Sequence, residues 1–165
     1  MIVVSDTSPL SALFKVDLLH LLPELFETII IPPAVRGELL YLNKQGFDVT
    51  PLLEASWLEI QEATDTQLMN QLSLELDVGE VASICLAWEL QPKFLLIDER
   101  KGRMVASKLG IPIIGLLGIL LIAKEKGLIE ALRPVLLDLR KINFFVAPKL
   151  ANLLLNKAGE EPIYP

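Results

Sequence analysis

Several acidic residues stand where apolar runs of this chain end, and their positions suggest a shared chemistry. Asp6 follows the run I-V-V-S, and Asp98 and Glu99 follow the run F-L-L-I. If both runs are neighbouring strands of a parallel sheet, their carboxyl ends meet at one edge of the sheet, which brings these carboxylates together. Glu38 lies in the helix-like stretch A-V-R-G-E-L-L, after a further apolar run T-I-I-I.

Asp77 and Glu80 open another helix-like stretch, L-D-V-G-E-V-A-S-I-C-L-A. They are three residues apart, so both lie on one side of the first helical turn. A purely structural interpretation is also open here, with Asp77 as the N-cap and Glu80 completing a capping box. Asp6 has the same alternative, as a cap of the helix that follows it.

A cluster of carboxylates predicts a particular kind of metal. Crowded carboxylates repel one another unless a cation neutralises them, and oxygen ligands without histidine or thiolate favour Mg²⁺ or Mn²⁺ over Zn²⁺. The single histidine, His20, lies in L-L-H-L-L, which disfavours a histidine-based site. One or two such cations activate water for in-line hydrolysis of a phosphodiester.

The elements that must position these acids alternate between strands and helices along the chain. This alternation predicts an α/β fold, a sandwich with a mainly parallel sheet flanked by helices. The length of 165 residues suits one domain. We expect that domain to span residues 1–158, with a loose tail over residues 159–165.

Charge is unevenly distributed along the chain. The net charge is -6, but residues 1–80 hold three basic and thirteen acidic side chains, and residues 81–165 hold twelve basic and eight acidic ones. An acidic protein is a poor non-specific binder of nucleic acid. Arg100, Lys101 and Arg103 follow Asp98 directly, and we predict that they guide a phosphate backbone toward the acids, unless they form only a solvated helix start. Arg103 has a second interpretation, as a partner of a neighbouring acid that holds the shape of the site.

The sequence also predicts where the protein resides. Its single cysteine, Cys85, excludes an internal disulfide, and the N-terminus lacks the basic region of a signal peptide. The longest apolar run, residues 111–123, is interrupted by proline and glycine and is shorter than the ~20 residues of a membrane span. We therefore expect a cytoplasmic protein without a membrane segment.

Taken together, these motifs resemble those of PIN-domain proteins. The similarity is carried by S-D-T-S-P-L, the Glu38 helix, L-D-V-G-E-V-A-S-I-C-L-A, L-L-I-D-E-R-K-G-R and L-G-I-P-I-I-G-L-L-G-I-L-L-I-A-K. It extends from Val3 to about Glu160 and is closest to a prokaryotic PIN-like group predicted to bind nucleic acid. The resemblance implies a three-layer fold with a parallel sheet of about five strands, and a metal-dependent ribonuclease site built from three or four acids.

By position, the resemblance assigns the four acids in order along the chain: Asp6, Glu38, Glu80 and Asp98. It implies that Asp6, Glu80 and Asp98 hold Mg²⁺ or Mn²⁺, and that Glu38 binds a second ion or orients the attacking water.

The resemblance also implies supporting residues, with two departures from the family pattern. Ser8 matches the small polar residue that supports the first acid, and Asp77 belongs to the pattern of the closest group. That group commonly has two aspartates where this chain has Asp98 and Glu99, and often another acid where this chain has Ser83. The second change weakens the expectation of a second metal.

Partners and alternatives follow from the same comparison. Many PIN proteins resemble the toxin of a toxin–antitoxin pair, which implies a candidate antitoxin, and the high apolar content leaves room for a homodimer surface. The main alternative is a non-catalytic PIN-fold scaffold that binds RNA or protein. A receiver-like phosphotransfer domain fits less well, because Asp6 stands alone after its strand and Gly115 follows the I-P-I-I run where a lysine is wanted.

Overall fold

The computed structural model describes residues 1–165 and contains one five-stranded parallel sheet in the order β3-β2-β1-β4-β5. The strands are β1 (Ile2–Ser5), β2 (Thr28–Ile31), β3 (Leu58–Ile60), β4 (Phe94–Leu96) and β5 (Ile113–Ile114). β1 is central, with Val3 opposite Ile29 of β2 and Phe94 of β4. The expected α/β sandwich with a parallel sheet of about five strands is confirmed.

Ten helices cover the two faces of the sheet. They are α1 (Thr7–Lys15), α2 (Leu21–Leu25), α3 (Pro33–Leu40), α4 (Thr50–Leu53), α5 (Thr66–Leu72), α6 (Val78–Leu90), α7 (Arg100–Lys108), α8 (Leu116–Glu125), α9 (Leu132–Lys141) and α10 (Pro148–Lys157). A 3-10 turn, Tyr41–Gln45, extends α3. None of the helices combines the length and the apolar character needed to cross a membrane.

The apolar runs become strands buried on both faces, because parallel strands are covered by helices on each side. Val3 joins a core cluster with residues of α1, α2, α3, α8, α9 and α10, whereas Val4 joins a second cluster with residues of α5, α6 and α7. Successive side chains of a strand point to opposite faces. This alternation produces the three layers.

The connections reverse direction between β1 and β4. The chain leaves β1 through α1 and α2 toward β2 on one face, and leaves β4 through α7 toward β5 on the other. In open parallel sheets such a switch point leaves a crevice at the carboxyl ends of the strands, where ligands bind. The residues directly after β1 and β4 are therefore placed at this crevice.

The C-terminal residues 159–165 differ from the expected loose tail. The Glu160 carboxylate accepts hydrogen bonds from the backbone N–H groups of Leu132 (2.8 Å) and Arg133 (3.1 Å), at the start of α9. The side-chain amide of Asn152 donates to the Tyr164 carbonyl at 2.9 Å. The tail is thus held by polar groups far away along the chain, which local composition does not reveal.

Candidate active site

Asp6 lies at the carboxyl end of the central strand, between β1 and α1. Its backbone N–H donates to the Leu96 carbonyl at 2.9 Å, which extends the pairing of β1 with β4 by one step. The residue is 4% exposed. Although Asp6 occupies the N-cap position of α1, its carboxylate makes no capping hydrogen bond. The carboxylate is thus buried without the role that a helix cap would give it.

The electrostatic environment of Asp6 favours its protonated form. Burial raises its pKa from 3.8 to about 7, and the nearby carboxylates of Glu38, Glu80 and Asp77 add to the increase. A hydrogen bond from the Thr7 backbone opposes it. Asp6, Glu38, Glu80 and Asp77 therefore form one electrostatic cluster, in which a positive charge is favoured.

Glu38 reaches this cluster from α3. The Thr7 hydroxyl, at the start of α1, donates a hydrogen bond to Glu38 Oε2. A β-carbon at Gly79 would lie 2.5 Å from Glu38 Oε1. The missing side chain at Gly79 therefore leaves the space that the Glu38 carboxylate occupies against the first turn of α6.

Asp77 and Glu80 form a capping box at the start of α6, as the structural interpretation of these residues predicts. The Asp77 carboxylate accepts from the Glu80 backbone N–H at 2.9 Å, and Glu80 Oε2 accepts from the Asp77 backbone N–H at 3.2 Å. Glu80 is nevertheless only 7% exposed. Burial raises its pKa, as do the neighbouring charges of Asp77, Glu99 and Glu38, against the hydrogen bond from Asp77. The capping role and the position in the acidic cluster therefore coexist.

Ser83, where the closest PIN-like group often has an acid, is fully buried one turn after Gly79. Its hydroxyl donates to the carbonyls of Gly79 (2.9 Å) and Glu80 (3.1 Å) within α6. This position contributes a satisfied hydroxyl and no charge to the site.

Asp98 enters the site from the turn between β4 and α7. Its Oδ1 accepts the Leu116 backbone N–H at 2.9 Å, at the start of α8. Its Oδ2 is buried and has no hydrogen-bond partner. A β-carbon at Gly115 would lie 2.7 Å from Asp98 Oδ1 and 2.8 Å from Arg103 Nη1, so Gly115 provides the room for both groups.

The charges that act on Asp98 differ from those that act on Asp6. Burial raises the pKa of Asp98, while the Leu116 N–H and the Arg103 guanidinium oppose the increase. Arg103 Nη1 also donates to the Ile97 carbonyl at 2.8 Å. Arg103 thus stabilises the turn that contains Asp98.

The remaining predicted residues surround the acids. Ser8 is exposed and makes no hydrogen bond to Asp6, and it lines a cavity that Asp98 and Glu99 also line. Arg100 and Lys101 are exposed on the first turn of α7. Their side chains make no ion pair with the acids and are free to meet an anionic ligand.

Three of the acids share a pattern that fits a divalent cation. Glu38, Glu80 and Asp98 each use one carboxylate oxygen for a hydrogen bond with the protein and leave the other oxygen without one. Hard oxygen donors of this kind suit Mg²⁺ or Mn²⁺. No three acidic, histidine or cysteine side chains lie close enough together to form a ready-made metal site. The donor chemistry thus fits the cation, whereas the separation of the carboxylates does not form a coordination site.

The groups that hold the acids in place were not predicted from the sequence. Thr7 is adjacent to Asp6 in the sequence, but its hydroxyl donates a hydrogen bond to Glu38, 31 residues further along the chain. The backbone N–H of Leu116 donates a hydrogen bond to Asp98, which lies 18 residues earlier in the chain. The only signals in the sequence were a hydroxyl after Asp6 and a glycine before Leu116, where a helix begins.

The comparison with protein families agrees with this architecture. Residues 2–160 match the family model DUF3368, described as a PIN domain. No curated protein matches the chain. A solved structure of a PilT N-terminus domain protein from the hyperthermophilic archaeon Sulfolobus solfataricus P2 is similar, with 16% identity and a TM-score of 0.46, over 73% of this chain and 91% of that chain.

The match to the family model extends over nearly the whole chain and includes all four acids. PIN domains are commonly nucleases and typically use divalent metals. The chain belongs to the PIN-domain family.

Proposed function

We propose that this protein is a metal-dependent endoribonuclease that hydrolyses phosphodiester bonds in RNA. The observation that carries the proposal is the buried Asp98 Oδ2 without a hydrogen-bond partner, at the same sheet edge as the Asp6 cluster. A buried acceptor without a partner is costly unless something binds it. The acids around Asp6 offer the oxygen ligands that such a cation needs.

Asp6, Glu80 and Asp98 are the proposed ligands of Mg²⁺ or Mn²⁺. When bound, a cation of this kind lowers the pKa of a bound water and neutralises charge on a phosphoryl oxygen. Glu38, which is exposed and held by Thr7, either contributes to a second ion or accepts a hydrogen bond from the attacking water. In the second role, Glu38 orients that water through the oxygen that Thr7 leaves free.

The basic residues of α7 support the choice of an anionic polymer as substrate. Arg100 lines an open cavity with Asp98, and both Arg100 and Lys101 are exposed, so they can pair with backbone phosphates of a bound strand. Arg103 lies deeper and is bonded to the Ile97 carbonyl. We therefore assign Arg103 mainly to positioning Asp98, and Arg100 and Lys101 to binding RNA.

A cleavage assay tests the proposal. The purified protein is incubated with a mixed RNA pool in Mg²⁺, in Mn²⁺ and in EDTA, beside the Asp6→Asn/Asp98→Asn double variant. Asp48→Asn is a matched control, because Asp48 is an exposed acid whose backbone contact with Thr50 an asparagine keeps. We expect cleavage that requires metal, is lost in the double variant and persists in the control. Equal cleavage by the parent protein and the double variant would indicate contamination and contradict the proposal.

The same assay distinguishes the main alternative. A protein that never cleaves but still binds RNA or a protein partner would be a non-catalytic PIN-fold scaffold.

A toxin role is the narrower form of the nuclease proposal, in which a small antitoxin covers the acidic edge. Val78 is 75% exposed beside the capping box and Leu74 is 88% exposed nearby, which gives an antitoxin or a second copy of the chain an apolar contact. Growth arrest on expression, relieved by the product of an adjacent gene, would support the toxin role.

A further inference from the structure

A cavity at the switch point between β1 and β4 has no role in the chemistry described so far. It has a volume of about 340 Å³ and is lined on one side by Asp98 and Glu99. The other walls carry the polar side chains of α1, namely Thr7, Ser8, Ser11 and Lys15, and from the segment after α9 the amide of Asn143 and the ring of Phe144. The cavity therefore begins at the acids and extends away from them along α1.

The walls of this cavity combine the groups that recognise one nucleotide. Lys15 is the only cation in the lining, the Ser8 and Ser11 hydroxyls make no hydrogen bonds with the protein, and Phe144 presents an aromatic ring. Single-stranded nucleic acid is typically held by cations on the backbone and aromatic rings against the bases. Asn143 adds an amide that has no hydrogen bond within the protein and that can donate to and accept from a base edge.

The segment that supplies Asn143 and Phe144 is fixed by the end of α9. Asn143 has a φ of 61°, a left-handed conformation that asparagine tolerates better than most residues. The backbone N–H of Asn143 donates to the Arg140 carbonyl at 3.1 Å, and that of Phe144 donates to Leu139 at 3.0 Å. The two side chains are thus presented by a capped helix end rather than by a free loop.

The position of Lys15 defines which phosphate it meets. Thr7 and Lys15 are the first and last residues of α1, so they are separated by about 12 Å along the helix axis. Lys15 therefore stands at the end of the cavity away from the acids, nearer to a neighbouring phosphate than to the phosphate that is cut. It fits a neighbouring phosphate of the same strand.

We propose that this cavity is a subsite for the nucleotide next to the cleaved bond, with Lys15 pairing with its phosphate and Phe144 and Asn143 contacting its base. The inference rests on the proposed function, because it names how that substrate is held. The proposal also means that the RNA strand is bound differently on the two sides of Asp98. The Lys15 side receives one nucleotide in a cavity, while the Arg100 side binds backbone phosphates on an open surface.

Binding without cleavage tests the subsite. A short fluorescein-labelled oligouridylate is titrated with the full-length protein in EDTA over a range of salt concentrations, and fluorescence anisotropy gives the affinity. Lys15→Gln should weaken binding and reduce the slope of log affinity against log salt by about 0.7, the value for one single-strand phosphate contact. Lys15→Arg should restore most of the slope. Lys126→Gln is the matched control, because Lys126 is exposed at the opposite end of α8 from the site, and it should change neither quantity.

A second variant separates base contact from charge. Phe144→Leu keeps an apolar side chain in the core contact but removes the ring, so affinity should fall about fivefold or more with an unchanged salt slope. Thermal melts of each variant confirm folding, since Lys15 also lies 5.5 Å from the Phe47 ring centre. If Lys15→Gln and Phe144→Leu bind like the parent protein and the Lys126→Gln control, the subsite is overturned.

Cleavage kinetics distinguish failure of the subsite from failure of the nuclease. If the protein cleaves RNA and Lys15→Gln raises KM while kcat stays near the parent value, both proposals hold. If it cleaves RNA and Lys15→Gln leaves KM unchanged, the nuclease stands and the subsite is wrong. If it never cleaves but binds the oligonucleotide through Lys15, the subsite stands on a non-catalytic scaffold.

Discussion

Replacing Asp6 by asparagine should remove activity and stabilise the fold at the same time. The pKa of Asp6 rises from 3.8 to about 7 on folding, with burial as the largest cause. The folded state therefore binds a proton more tightly than the unfolded state does. The free energy of unfolding therefore keeps the full contribution of protonated Asp6 below the unfolded pKa. That contribution is lost as the pH rises through the folded pKa and Asp6 ionises.

The size of the effect follows from the difference between the two pKa values, which is about three. One pKa unit corresponds to 1.36 kcal/mol, so the ionised side chain costs the folded state up to about 4 kcal/mol above pH 7. The asparagine side chain of the variant has no charge to bury. Without metal, the Asp6→Asn protein should match the parent near pH 4 and exceed its free energy of unfolding by up to about 4 kcal/mol at about pH 8.

Urea denaturation in EDTA, at several pH values across this range, measures the difference directly. Asp48→Asn is the control, because Asp48 is exposed and its hydrogen bonds with Thr50 lower its pKa. Any stability that Asp48 contributes is therefore present above its unfolded pKa, constant between about pH 5 and about pH 8, and lost only as the pH falls further. A stability difference between Asp6→Asn and the parent that does not change between about pH 5 and about pH 8 would refute the reasoning.

Three further substitutions test the contacts that arrange the site and the tail. Gly79→Ala places a methyl group 2.5 Å from Glu38 Oε1, so the rate of RNA cleavage should fall. The thermal midpoint should change little, since alanine favours the helix by about 1 kcal/mol. An unchanged kcat would argue against a role for Glu38. Gly115→Ala places a methyl group 2.7 Å from Asp98 Oδ1. Mg²⁺-dependent cleavage should fall about 10- to 100-fold, the range for groups that support a metal ligand. The cleavage rate as a function of Mg²⁺ concentration measures this loss. Glu160→Ala leaves two N–H groups of α9 without their acceptor and should cost about 1–3 kcal/mol in urea denaturation at neutral pH; no loss of stability would mean that the tail is not anchored there.

The strands and the positions of the acids were predictable because they depend on local pattern. Apolar runs such as F-L-L-I are what a strand buried on both faces requires, and the acid after each run must then lie at the carboxyl edge. The capping box of Asp77 and Glu80 was equally readable, since both of its hydrogen bonds are formed within four residues. In each case the information lies close together in the sequence.

The contacts that complete the site could not be read in this way. Thr7 meets Glu38, and Leu116 meets Asp98, only because separate crossovers bring their helices to the same edge of the sheet. The short helix α4 was also missed, because four residues with one buried side chain, Leu52, give no helical periodicity. These features depend on tertiary packing, which one sequence does not encode as a local signal.

Three carboxylates of the candidate site are each held by a separate hydrogen bond. Glu38, Glu80 and Asp98 are each held through one oxygen by a different partner, namely Thr7, the Asp77 backbone and the Leu116 backbone. These anchors keep the carboxylates separated, since like charges that approach in a buried site raise one another's pKa. A cation removes that repulsion and offers the free oxygens a common partner. Binding of metal should therefore release the proton of Asp6, so affinity for Mg²⁺ should increase as the pH rises toward about 7. If the proposed function holds, the burial that raises the pKa of Asp6 also favours the exchange of its proton for a cation near neutral pH.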